Sequence, residues 1–281
     1  MNKIKYLFCL FLMLLSFLYI GNLFNNINIL DFILSDNKKK IVIDTLSLGT
    51  INNNIALSNI EEPKEKNIVK KDSTKTTKHL IAEPIIYIYN THQTEEYKTN
   101  TYNITPTVET VSSILKEELK DLGISSLVEQ RSITKEVNKR GLDYTGTYEV
   151  SFEYLKEMQT KHKTLKYYFD MHRDSVTGTP ARTTINNKKY ATMMFLVGTK
   201  NKNYQKNVKN LKYMENYLKK HYKGLVRETY YQSHSAFNQF HDENMFLVEL
   251  GGPDNTLEEI YNTTKALSEA IKYYVEVKNE K

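Results

Sequence analysis

Residues 6–24 (YLFCLFLMLLSFLYIGNLF) carry no charge, and the uncharged run extends to residue 30. At 1.5 Å of rise per residue, such a helix spans roughly 28 Å, close to the hydrocarbon thickness of a bilayer. A helix buried in a globular core rarely lacks polar residues on every face. Lys3 and Lys5 precede the run and favour a cytoplasmic amino terminus, with the remainder outside. The rival is a cleavable signal peptide, which would want a shorter apolar core and an A-x-A-like cleavage triplet, and none follows. Residues 1–30 therefore read as a retained single-pass membrane anchor. Cys9 lies inside it as a small apolar filler.

The next stretch, 31–82, reads as an extracytoplasmic linker. Residues 61–78 (EEPKEKNIVKKDSTKTTK) show no apolar periodicity, and such composition cannot offset the entropy of ordering the chain. Residues 40–46 (KIVIDTL) are a short exception with strand character. The lone Cys excludes an intramolecular disulfide and any Cys-rich metal site. A net charge of +6, without an Arg-rich stripe interleaved with aromatics, argues against nucleic-acid binding. Outside the membrane, the basic balance suits an anionic cell wall.

From residue 83 onward the pattern alternates. Short β-forming runs at 85–89 (IIYIY), 126–129, 166–170 (KYYFD) and 245–249 (MFLVE) are separated by amphipathic stretches. Helices are expected at 107–122, stopped by Gly123, and at 148–159, 204–221 and 257–275; Thr256 and Glu259 carry capping-box spacing before the last. Asn186-Asn187 suggest a hairpin between 183–185 and a strand at 190–197, and 225–230 is strand-like. Strands alternating with helices argue for an α/β domain at 83–281, a largely parallel sheet flanked by helices.

Three polar residues sit where such a sheet places its ligand crevice. His92 follows the first strand, His172 follows the strand at 166–170, and Glu249 ends the strand at 245–249. In a parallel arrangement all three emerge at one edge. Two imidazoles and a carboxylate suit Zn²⁺ with one position left open, and a further carboxylate would move protons. His92, His172 and Glu95 as ligands with Glu249 as acid/base complete that set. Asp170 is placed to orient a ligand histidine. Arg173 could grip a substrate carboxylate or join an ion-pair cluster with Asp174. Glu109, on the first helix, is the rival third ligand. A buried Glu249 could instead be neutralised by Arg173 or a lysine. His79, His162, His221, His234 and His241 read as solvated loop histidines, His241 staying a minor candidate for its nearness to Glu249.

The segments YIYNTHQTEEY (87–97), YYFDMHRDS (167–175), YATMMFLVG (190–198), FNQFHDENMFLVELGG (237–252) and NTLEE (255–259), in that order, resemble the sporulation stage II protein P family of cell-wall amidases. The resemblance spans residues 83–276, and an amino-terminal anchor and tether fit the family plan. It implies a zinc-amidase-like fold and a zinc-dependent N-acetylmuramoyl-L-alanine amidase, acting on peptidoglycan in spore engulfment or wall remodelling. By position, His92, Glu95, His172 and Glu249 match the family's residues, while Asn90 stands where many members have His. Related amidases take the third ligand from the start of the first helix, which keeps Glu109 in play. The implied partners are the stage II sporulation proteins D and M. Two other functions are compatible with the same residues: a wall-binding scaffold with a degenerate site, and a metallopeptidase acting within the stem peptide.

Overall fold

A computed structural model of the chain describes residues 83–280. The anchor expected at 1–30 and the linker expected at 31–82 lie outside the described residues. Among the described residues no helix is long and apolar enough to cross a membrane.

In chain order the elements are β1 (Ile86–Tyr89), α1 (Val108–Asp121), β2 (Ser126–Val128), α2 (Ile133–Arg140), α3 (Gly146–Lys161), β3 (Tyr167–His172), β4 (Arg182–Ile185), β5 (Lys188–Ala191), β6 (Met193–Gly198), α4 (Tyr204–His221), β7 (Tyr230–Gln232), β8 (Met245–Leu250) and α5 (Leu257–Asn279). A six-stranded sheet has the order β2-β1-β3-β8-β6-β7. β2, β1, β3 and β8 are mutually parallel, and β6 runs antiparallel to β8 with β7 parallel to β6. The expected parallel sheet is thus its four-stranded part. The chain leaves β1 toward β2 and returns to the other side of β1 as β3. That reversal creates a crevice at the carboxyl ends of β1 and β3.

Period-two alternation sorts the side chains. Ile86, Ile88, Tyr167, Phe169, Met171, Phe246 and Val248 point to the larger core, shared with Val111 and Leu115 of α1, Leu211 and Met214 of α4, and Leu267 and Ile271 of α5. Tyr87, Tyr89, Tyr168 and Met245 face the other way, against Leu155 of α3. The same alternation puts Asp170, His172 and Glu249 on the α3 side.

Several sequence expectations shift. β3 runs on through His172, so this residue belongs to the strand and does not follow it. The run 190–197 breaks at Thr192, whose N–H donates to Ala181 O (2.9 Å) and whose hydroxyl donates to Pro180 O (2.7 Å), away from any ladder. The first half, β5, pairs with β4 as the Asn186-Asn187 hairpin, and the second half enters the main sheet. Residues 225–227 make only a bridge to Met193, and pairing with β6 resumes at Tyr230. The short helix α2 was not expected.

Candidate metal centre

β1 ends at Tyr89, and the next residues are tied down at once. Asn90 donates to Met171 O (2.8 Å) and accepts from Ser112 Oγ (2.9 Å), joining β1, β3 and α1. Thr91 donates its N–H and its hydroxyl to the two oxygens of Asp170, at 2.9 and 2.7 Å. Gln93 then bridges the helices: its amide nitrogen donates to Glu109 Oε1 (2.9 Å) and its oxygen accepts from Ile133 N (2.7 Å), at the start of α2. His92 is held between these anchors. Glu95 is fixed by its backbone to the start of α1, where Val108 N donates to Glu95 O (3.0 Å).

The consequence is a cluster. One donor atom each from His92, Glu95 and His172 lies within 4.8 Å of the others. The two imidazole rings meet edge to face at 5.0 Å between centroids. Glu95 approaches His92 Nδ1 at 3.7 Å and His172 Nδ1 at 3.5 Å, and accepts from Arg173 N at 2.9 Å. His172 Nε2 lies 3.0 Å from Asp170 Oδ1. Glu249 is the register partner of His172 across β3 and β8, so strand spacing sets the two side by side.

The electrostatics favour a cation. Burial alone would raise the Glu95 carboxyl, but the neighbouring His172 and His92 imidazoles outweigh it and hold it at about 2. Burial likewise opposes charge on His172, yet Asp170 and Glu95 push it well above the ordinary imidazole range. Glu249 goes the other way, raised to about 7 by burial, with Glu95, Asp174 and Asp170 adding to it and His172 opposing. His92 Nε2 and Glu249 Oε2 are both shielded from solvent with no hydrogen-bond partner among the described residues. Two imidazoles and a carboxylate converging beside such orphaned atoms fit a zinc ion.

The other sequence candidates fall elsewhere. Glu109 is turned to Gln93 and does not join the cluster. Arg173 makes no ion pair with Glu249 among the described residues; its Nε donates to Glu96 O (2.7 Å) and its Nη1 to Asp174 O (3.0 Å). Asp174 pairs with Arg227 at 2.6 Å. His241 is exposed and hydrogen-bonded to Gln159 (2.8 Å). Two aromatics that sequence reasoning missed complete the site. Tyr144 stacks on His92 at 4.4 Å with its hydroxyl 2.9 Å from Nδ1, and Tyr148 meets the same ring edge-on at 5.4 Å. Nothing in their sequence context beyond the nearby Gly141 turn signals this.

A family model described as stage II sporulation protein P matches residues 33–272. Stage II sporulation protein P of Bacillus subtilis (strain 168) is 29% identical over 204 residues, covering 66% of this chain and 50% of that protein. The chain thus spans about half the length of this curated relative. Among solved structures, the CwlD amidase from Clostridioides difficile, in complex with the GerS lipoprotein, superposes with a TM-score of 0.45 at 14% identity, over 70% of this chain and 98% of that one. The N-acetylmuramoyl-L-alanine amidase AmiC2 of Nostoc punctiforme gives 0.41 at 9% identity, over 70% and 98%. With five-sixths of its length matched by the family model, this chain belongs to the stage II sporulation protein P family.

Proposed function

We propose that this chain is a zinc-dependent peptidoglycan hydrolase that cuts the amide between N-acetylmuramic acid and the L-alanine of the stem peptide. It works outside the cytoplasmic membrane, tethered by the apolar run at 6–24. The observation that carries this reading is the convergence of His92, Glu95 and His172 within 4.8 Å at the carboxyl edge of the sheet, beside Glu249. Family membership points to the cell wall as the substrate class.

His92, Glu95 and His172 would hold the ion. Bound zinc supplies a Lewis acid toward an amide carbonyl and raises the acidity of water. Glu249, the strand neighbour of His172, takes the proton of the attacking water and returns one to the leaving amine. Asp170 sets its charge 3.0 Å from Nε2 of His172, and Tyr144 holds the His92 ring through Nδ1, which orients both imidazoles. Arg173, clamped to two backbone carbonyls, offsets negative charge on the reacting oxygen.

Mass spectrometry of fragments released from purified walls tests the reading. Peptides beginning with a free L-alanine amine, together with glycan bearing a free lactyl carboxylate, are expected. Cuts within the peptide would make the protein a metallopeptidase, and pelleting with walls without release would make it a binding protein. Glu249→Gln should stay folded and lose hydrolysis; full activity in that variant would remove Glu249 from the mechanism.

A further inference from the structure

Beside the metal centre, between the amino end of α3, the turn before α4 and the 234–240 loop, lies a cleft of about 610 Å³, a size suited to a short peptide. It shares a wall with the site. Tyr148 is edge-on to His92, and Phe237 tilts against Tyr148 with centroids 5.6 Å apart. Lys200, Lys202, His234 and Phe240 also line the cleft, and no carboxylate does.

The wall is held rigidly. Phe237 has φ 47°, a left-handed conformation that a bulky side chain keeps only where its surroundings over-determine it. Here Gln239 accepts from Gly198 N (2.8 Å) and donates to Leu196 O (2.7 Å), Asn238 donates to Ser151 Oγ on α3 (2.9 Å), and Lys200 N donates to Ser235 O (3.1 Å). The loop lies so close to β6 that a Cβ on Gly198 would meet Ser235 O at 2.6 Å. Residues 237–240 open the sequence block 237–252 that contains Glu249, yet the metal centre does not use them.

We propose that this cleft binds the carboxylate-bearing stem peptide on the far side of the scissile amide, with Lys200 and Lys202 as counter-charges and Tyr148 and Phe237 as an apolar wall. The proposal rests on the hydrolase reading of the metal centre. The path from His92 past Tyr148 to Phe237 is at most about 11 Å, the reach of three extended residues. A stem peptide with its scissile amide at the metal centre therefore reaches, with its second and third residues, the cleft that the two lysines line.

Calorimetric titration of the full chain with L-Ala-γ-D-Glu-L-Lys, and with the same peptide carrying carboxamides in place of carboxylates, tests this. The acid form should bind about tenfold more tightly, with an advantage that fades as salt is added. The K200Q/K202Q variant should lose that advantage while binding the carboxamide form as the parent does. Equal affinity for the two peptides, or undiminished acid binding by a K200Q/K202Q protein of unchanged circular dichroism, overturns the proposal. Wall cleavage is scored separately. If walls are cut but the acid preference is missing, the cleft assignment fails and the hydrolase stands. If the lysine-dependent preference is present without cleavage, the cleft stands and the hydrolase fails.

Discussion

Glu249 joins a strand position to an unsatisfied oxygen, and this makes it a reporter of its surroundings. In the metal-free folded chain its carboxyl keeps its proton up to about 7, whereas in the unfolded chain it ionises near the ordinary glutamate value of about 4.3. Folding is therefore favoured on the acid side. The penalty builds as pH rises between those two values and is complete above the higher one. Glu249→Gln cannot ionise, so the chelated variant should exceed the chelated parent in stability at about pH 8 by roughly 3–4 kcal/mol and nearly match it at about pH 4. Urea unfolding at both pH values measures this, and a difference independent of pH would refute the assignment. Asp170 makes a second test. Its oxygens take both Thr91 donors and one of them faces His172, so Asp170→Asn removes the negative charge beside His172 while the Thr91 hydroxyl can still pair with the amide. A loss of about 10–100-fold in zinc affinity is expected with the fold intact, read by competition with a chromophoric chelator. His92, His172 and Glu249 were legible because polar residues at the ends of apolar strands have few purely structural uses. Tyr144 and Gln93 were not, because their roles depend on how α2 and α3 pack over the loop after β1.

At the scale of elements, legibility followed the strength of local signals. α1 and α5 were readable from apolar residues at helical spacing and from their ends: Gly123 at φ 81° closes α1, and Thr256 and Glu259 exchange the reciprocal bonds that open α5. α2 buries only Ile133 and Val137, too few for a periodicity to show. The break at Thr192 is set by distant partners, the 180–181 turn and Gly251, which no local window contains. The exit from β8 is an element-scale device with a measurable cost. Gly252 sits so close to the chain after β3 that a Cβ would lie 1.8 Å from Val176 O, while its N–H donates to Asn255 Oδ1 at 2.7 Å. Gly252→Ala must push two loops apart directly behind Glu249 and Arg173. It should destabilise the protein by about 2–3 kcal/mol and lower hydrolysis more than stability alone explains. Thermal melts together with wall-release assays separate the two effects, and an alanine variant with parental melting and activity would contradict the close approach.

For the whole molecule, the layered α/β plan was legible in the alternation of strand and helix patterns, while the reversed direction of β6 and β7 was not. An apolar run such as β6 reads the same in either direction, and β7 is only three residues long with Tyr230 and Tyr231 exposed, too short for a pattern to show. The same layering decides how metal and fold are coupled. The donors hang from β3 and from the loop after β1, and both are held by an apolar core and by bonds such as Asn90 to Met171 that require no ion. The sheet should therefore persist when zinc is removed, unlike small domains whose folding energy comes from the metal. Zinc still binds the folded state preferentially, and at 100 times its dissociation constant it adds about 2.7 kcal/mol. For a domain of this size that corresponds to a rise in melting temperature of about 5–10 °C. Chelation should reverse the rise with little change in far-ultraviolet circular dichroism, and His172→Ala should abolish it. Loss of the sheet signal on chelation would mean that the core does not pre-form the site. An undiminished zinc response in the His172 variant would mean that the ion binds elsewhere, and the convergence of the three donors would then have no chemical use.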